Sequence, residues 1–309
     1  MLESGNLAIR KGIALAESIE MNIIRAFLLL IATVIVIALS GTQVSSQNIE
    51  PTSEVVLRSE IEWSPLNPAR GDASPKAGTI WGDRAANEAT GFLVQFADGF
   101  SSPPHIHNVT YRGVVIEGLV HNDDPKAANM WMPQGSFWTQ PAGESHITSA
   151  KGETNIAYIE IDSGPYLVNP AEEAFDNGER PVNVDASNIV WLDASEINFS
   201  DRSKTSTSLR EAQISFLWGN PQNKNPYGTM IKLPTGFTGE IHSDGSSFRA
   251  VVIEGQPQYQ VSGKTEVKNL EPGSSFSSQG RSIHQVSTEA ESVLYVRTSD
   301  KFDITATKS

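Results

Sequence analysis

The sequence has no cysteine among its 309 residues. That excludes a disulfide scaffold, a thiolate zinc site, an iron–sulfur cluster and a cysteine nucleophile. Any metal must be held by histidine, carboxylate or neutral oxygen donors. Charge is also sparse. Asp, Glu, Lys and Arg make up 19% of the chain, below the usual globular level of about 25%, which argues against a long disordered or coiled-coil protein. Basic charge is the scarcer kind. Lys and Arg number 23 against 36 Asp and Glu, a formal net charge of −13. A nucleic-acid partner needs a basic face, and none is offered. A Ser-His-Asp signature, a phosphate loop and a nucleotide fingerprint are also missing, which weakens serine hydrolase and NTPase readings.

Long hydrophobic runs are confined to one place. After Arg25, fourteen residues from Ala26 to Leu39 carry no charge. A spanning helix needs roughly 20 residues, whereas this length fits a signal-peptide core. Met21 begins the unit, so residues 1–20 read as an extension from an upstream mis-start. Residues 21–46 read as a signal peptide. Small residues suit cleavage at Ala38-Leu39-Ser40 or at Val44-Ser45-Ser46. The expected location is periplasmic or extracellular, with no stable membrane span once processed; the alternative is an uncleaved N-terminal membrane anchor. A lipobox anchor is excluded by the lack of cysteine. Removing residues 1–46 takes away Arg10, Lys11 and Arg25 together with Glu3, Glu17 and Glu20. The acidity therefore belongs to the body, where it favours solubility and repels anionic partners.

What the body does contain is a repeat. Residues 81–118 align without a gap to 218–255, with 12 identities in 38 positions. The offset is 137 from Trp81/Trp218 to Gly118/Gly255 and becomes 138 at Gly135/Gly273 and His146/His284. So long a period implies a duplicated domain, since solenoid repeats run about 20–50 residues. The expected division is a first domain over 47–168, a linker over 169–184 rich in Pro, Gly and acids, and a second domain over 185–309. Both copies read as β: short runs such as FLVQF and GVVIEGLV, then TMIKL and AVVIEG, are bounded by Gly, Pro, Asn and Ser. Many short strands per unit indicate sandwiches or small barrels.

Five of the six histidines fall into two corresponding motif sets. His105 and His107 form a His-x-His pair, and successive side chains on a strand alternate faces, so both rings point the same way. His146 follows a Pro141-Ala142-Gly143 turn. Three neutral imidazoles converging on one point make a site for a borderline divalent metal with open positions. In the second copy His242, Asp244 and His284 take the aligned places, a weaker two-His, one-carboxylate set.

These spacings resemble the cupin superfamily. Gly99, five residues, His105-x-His107 and a later Gly118 match its first motif. Gly135, five residues, Pro141-x-Gly143, two residues and His146 match its second. The resemblance implies an all-β fold of two tandem cupin (double-stranded β-helix, jelly-roll) barrels, with a divalent metal ion (Fe, Zn, Mn, Ni or Cu) on His105, His107 and His146. The cupin glutamate falls at Tyr111 and the asparagine at Ala150, which leaves the fourth ligand open. The wording PPHIHNVTYRGVVIEG, HNDDP and GPYLV is also similar to the bacterial bicupin family called domain of unknown function 4437, over nearly all of residues 55–305.

Around that set, Tyr111 is an oxygen donor or substrate contact in one reading and a core aromatic in the favoured one, because Phe248 replaces it in the second copy. Glu144 is a carboxylate that orients an imidazole, or a surface residue. His121 and Gln140 are further candidate ligands. Trp131, Phe137 and Trp138 are expected to line a pocket for a small organic molecule. The recurring Arg112/Arg249 and Glu117/Glu254 suggest structural roles such as barrel-edge ion pairs. Asn108-Val109-Thr110 is a glycosylation sequon by pattern alone. The expected function is an exported metal-binding bicupin, with a dioxygenase-like oxidoreductase favoured. The alternatives are a non-catalytic ligand-binding or sensor bicupin and a structural bicupin, whose second copy serves as a lid or homodimerising half.

Overall fold

The computed structural model describes residues 52–197, 212–245, 247–261 and 263–307. The expected mis-started extension, signal peptide and cleavage sites lie outside the described residues. Residues 49–309 cluster as one compact unit that contains both copies. No helix among the described residues is long and apolar enough to cross a membrane.

The fold is all-β, two tandem cupin barrels. The runs of Val, Ile, Phe and Tyr that alternate or fill short segments form strands, as β-branched and aromatic side chains pack well on a pleated surface. Each copy is built on one seven-stranded antiparallel sheet, that of the second copy including Thr52–Val56. At the centre of the first are Tyr111–Asp123, Ile147–Ile161 and Thr90–Phe96. At the centre of the second are Phe248–Glu254, Ser292–Thr298 and Tyr227–Leu233. The second copy closes with a five-stranded sheet that includes Thr238–Ser243 and Ser282–Ser287. In the first copy that place is taken by the far ends of the two long strands, where Leu119–Asp123 pairs with Ile147–Lys151, and by the short strand His105–His107, which pairs with Val168–Pro170 and bridges to His146.

Two segments depart from the expected division. The stretch expected as a linker is built into the first copy: Val168–Pro170 flanks the histidine strand, and Val182–Val184 pairs with Phe137–Gln140. Near the N-terminus, Thr52–Val56 pairs with Ser275–Gln279 of the second copy. Unpaired strand edges expose backbone donors and acceptors, so an extended segment beside an edge is recruited to it wherever its sequence lies.

The two large sheets bury a common core that includes Leu93, Val114 and Tyr158 from one copy and Met230, Val251 and Tyr295 from the other. The repeated residues meet there. Trp81 lies over Gly91 and Trp218 over Gly228, where an added Cβ would sit 2.0 and 1.9 Å from the indole nitrogen. The indole N–H groups donate to Tyr158 Oη at 3.2 Å and Tyr295 Oη at 2.8 Å. The recurring arginines are not edge ion pairs alone. Arg112 stacks 3.6 Å from the ring centre of Trp218, and Arg249 stacks 4.2 Å from that of Trp81, so each reaches across to the other copy. Arg112 also pairs with Asp162, and Glu117 with Arg58. One equivalent pair carries opposite charges. Glu160 and Arg297 are both buried and meet at 3.0 Å, with Tyr158 and Tyr295 hydroxyls donating to the same carboxylate.

Candidate metal centre

The strand His105–His107 follows Pro103-Pro104, and proline cannot donate to a ladder. Ser101 pairs with Ser149, yet His105 pairs with His146, so one extra residue is accommodated between them. This bulge re-aims the strand and sets His105 directly beside His146. The Pro141–Gly143 turn closes on the same strand. Gly143 N donates to His107 O at 2.8 Å, and its carbonyl accepts from Phe175 N at 3.0 Å. A Cβ on Gly143 would fall 2.5 Å from the Phe175 carbonyl, and its φ is +77°, so glycine is needed here.

The three rings converge. The candidate ligand atoms of His105, His107 and His146 lie within 4.8 Å of one another. In every case Nδ1 faces a backbone carbonyl: Pro103 O at 2.9 Å, Leu167 O at 2.9 Å and Glu144 O at 3.1 Å. A carbonyl can only accept, so each Nδ1 carries the proton and each Nε2 presents a lone pair. Outer partners of this kind fix the tautomer and orientation of metal-binding imidazoles. Burial lowers the pKa values of all three histidines, reinforced by neighbouring rings at His107 and His146 and by Arg70 at His105. His107 falls well below the ordinary value, and His146 falls to about 3. Neutral imidazoles are the form that binds a metal.

The site opens on a cavity of about 260 Å³ whose walls include Phe96, Phe100, Trp138, Tyr166 and Ile159, with Arg70 as its charged side chain. Of the aromatics expected to line it, Trp138 does. Phe137 faces the core between the copies, because strand alternation turns it away from Trp138. Trp131 packs instead beside His121, 6.0 Å between ring centres.

The remaining candidates separate. Tyr111 is buried with its hydroxyl at the histidines, 3.3 Å from His146 Nε2, so the ring is core and the oxygen is at the site. The group of Glu144 that orients His146 is its main-chain carbonyl; the carboxylate does not take that part. Gln140 uses both ends of its amide, on Asn122 and on the Glu144 carbonyl, and is not among the converging ligands. His121 lies outside the triad as well. It follows Val120, a barrel-interior residue, so alternation puts it on the opposite face, where its Nδ1 accepts from Met130 N. Asn108 is pinned by both ends of its amide to Pro165 O and Leu167 N, which steadies the carbonyl that holds His107.

The second copy does not repeat the cluster. Ser282–Ser287 pairs with Thr238–Ser243 so that His284 sits opposite Ile241. A one-residue slip reverses faces. His242 therefore points outward to Glu240 and Thr305, and Asp244 pairs with Arg281. By register, Ile241 and Ser243 occupy the places of His105 and His107. His284 is fully buried, stacked on Phe248, with Tyr259 Oη at 2.9 Å and Ser278 Oγ at 3.0 Å on its two nitrogens. It is a satisfied core histidine.

Sequence reasoning missed Tyr166. Its ring stacks on His107 at 4.4 Å, and its hydroxyl donates to His107 Nε2 at 3.2 Å, a contact an ion would displace. The signal was present in the GPYLV segment, whose tyrosine this is.

The model of the family described as domain of unknown function 4437 matches residues 54–305. No curated protein matches the sequence. Among solved structures, a candidate dioxygenase from Nostoc punctiforme is similar with a TM-score of 0.59 at 13% identity, covering 84% of this chain and 87% of that one. Salicylate 1,2-dioxygenase from Pseudoaminobacter salicylatoxidans, in adducts with gentisate, is similar with a TM-score of 0.51 at 14% identity, covering 84% and 86%. AerE from Microcystis aeruginosa gives 0.50 at 10% identity, covering 81% and 98%. Identities this low show a shared fold.

Proposed function

The chain belongs to the domain of unknown function 4437 family of the cupin superfamily, and from that premise we propose that it is an exported, metal-dependent oxidoreductase of dioxygenase type acting on a small organic acid. One observation carries this reading: three imidazoles, His107 and His146 buried and His105 half-buried, each with Nδ1 committed to a carbonyl, turn their Nε2 atoms toward one point at the wall of an apolar cavity. The donor set fits a divalent ion of borderline softness, with open positions remaining. Bound there, the ion keeps its full charge and supplies Lewis-acid or redox chemistry to a ligand. The chain's own part is positioning. Phe96, Phe100 and Trp138 exclude water from a flat apolar body, and Arg70 at the cavity supplies a positive charge for a carboxylate. The fold shared with a gentisate-binding dioxygenase makes hydroxylated benzoates the first substrates to try. The proposed export rests on the apolar run after Arg25.

The test is metal analysis after native purification, then oxygen uptake with gentisate, salicylate, catechol and diketones. We expect about one ion per chain. His105→Ala, His107→Ala or His146→Ala lowers affinity at least about 100-fold, whereas His242→Ala leaves it unchanged. Equal loss from both groups moves the site out of the first copy. Metal without oxygen uptake leaves a ligand-binding bicupin, and no metal with normal folding leaves a scaffold.

A further inference from the structure

We propose that the Tyr111 phenol oxygen is a fourth donor to the ion, aimed by a hydrogen-bond relay that starts at the Glu144 carbonyl and runs through Gln140 and Asn122. The proposal rests on the reading that the histidine site holds a metal.

The direction of the relay follows from its anchored end. The Glu144 carbonyl can only accept, and it takes Gln140 Nε2–H at 3.2 Å. Gln140 must then turn Oε1 the other way, where it accepts Asn122 Nδ2–H at 2.9 Å. That turns Asn122 Oδ1 toward the barrel axis, where it accepts the hydroxyls of Tyr111 and Thr148, each at 2.8 Å. Strand register makes these short links reachable: Tyr111 is paired with Gln140, and Asn122 with Thr148. Tyr111 has one hydroxyl proton and two acceptors in reach, Asn122 Oδ1 at 2.8 Å and His146 Nε2 at 3.3 Å, and the shorter contact takes it. The same oxygen lies 3.3 Å from His146 Nε2, which is itself unprotonated because Nδ1–H is donated to Glu144 O. Two lone-pair atoms therefore face one another at a buried position with no hydrogen between them. Buried polar atoms that face without a proton cost free energy, and a cation that accepts from both removes the cost.

The second copy supports the assignment by lacking every part of it. By register Phe248 replaces Tyr111 beside Ser278, which replaces Gln140. Tyr259 replaces Asn122 beside Val286, which replaces Thr148. There the hydroxyls of Tyr259 and Ser278 occupy both nitrogens of His284, and no facing lone pairs remain.

The experiment is a cobalt(II) titration of the metal-stripped full chain, read as affinity and as the visible absorption of the bound ion. Tyr111→Phe keeps the ring, and the second copy carries phenylalanine, Phe248, at the equivalent place. We expect its cobalt affinity to fall about 10–100-fold, with a changed absorption spectrum. Asn122→Leu releases the phenol proton toward His146 and should weaken binding similarly. Wild-type affinity and spectrum in Tyr111→Phe, with binding lost in His146→Ala, overturn the proposal and leave the metal reading standing. A wild-type protein that takes up no cobalt overturns both. If Asn122→Leu does not fold, Tyr111→Phe alone decides.

Discussion

The two copies share a framework and differ most at one register step. In the first, Ser101 pairs with Ser149 and His105 with His146, with a residue absorbed around Pro103-Pro104. In the second, pairing runs unbroken from Thr238 with Ser287 to Ser243 with Ser282. The bulge therefore decides the chemistry as much as the histidines do. It brings His105, His107 and His146 to one face, while the straight strand turns His242 out to solvent-side partners. A metal site can thus be lost without losing the histidine that aligned with it.

The surfaces by which the copies meet have diverged in a different way. Trp81 and Trp218, Tyr158 and Tyr295, and Arg112 and Arg249 keep the same parts on both sides, but Glu160 and Arg297 have become opposites. Both are buried, and they bond at 3.0 Å. Removing one partner of such a pair leaves an uncompensated charge and costs about 3–5 kcal/mol. Arg297→Leu should lower stability by that amount in chemical denaturation, the largest effect expected here. Because the two positions are equivalent, the double exchange Glu160→Arg with Arg297→Glu should recover part of the loss. No recovery would mean that the interface is not a near-symmetric one at this point, with the extra bond from Arg297 to Asp162 outweighing the equivalence.

Much of this was legible in the sequence. The offsets of the repeat located the copies, and two independent spacings located the triad. What was not legible has definite physical causes. The bulge before His105 leaves no mark in the offset, which stays at 137 until after Gly118, so an alignment can hold His105 against His242 while the ladder holds His105 against Ile241. The linker composition of residues 169–184 concealed edge strands, because edge pairing uses backbone groups and needs no apolar pattern. The part played by Glu144 belongs to its carbonyl, which no side-chain motif reports. Gln140 and Asn122 read as a candidate ligand and as nothing, yet hydrogen-bond polarity ties them into one relay.

His284 offers a sharper separation of the copies. Burial, and secondarily His242, lower its pKa to about 4, against an ordinary value of about 6.5. A group that binds protons less readily when folded removes stability as pH falls: the unfolded chain takes up the proton below about pH 6.5, and the folded chain does not until about pH 4. Its contribution to stability is intact above pH 6.5 and declines through that window, by on the order of 2–3 kcal/mol at pH 4.5. His284→Leu should flatten the difference in denaturation free energy between pH 7 and pH 4.5 by about that much. An unchanged pH slope would show that His284 takes up a proton as readily in the folded chain as in the unfolded one, and would end its description as a neutral core residue.

The smallest expected effect tests the register directly. If Ile241 and Ser243 stand where His105 and His107 stand, then Ile241→His with Ser243→His should complete a set of three imidazoles with His284. The site would be poor. Tyr259 and Ser278 already hold both His284 nitrogens, and no bulge or carbonyl set has been arranged for the new rings, so we expect zinc affinity at least about 100-fold below that of the first copy. Measured in a His146→Ala background, that weak binding should vanish on His284→Ala and survive His242→Ala. Dependence on His242 instead would place it inside the barrel with His284, and the one-residue slip could then no longer be the reason that the second copy lacks a site.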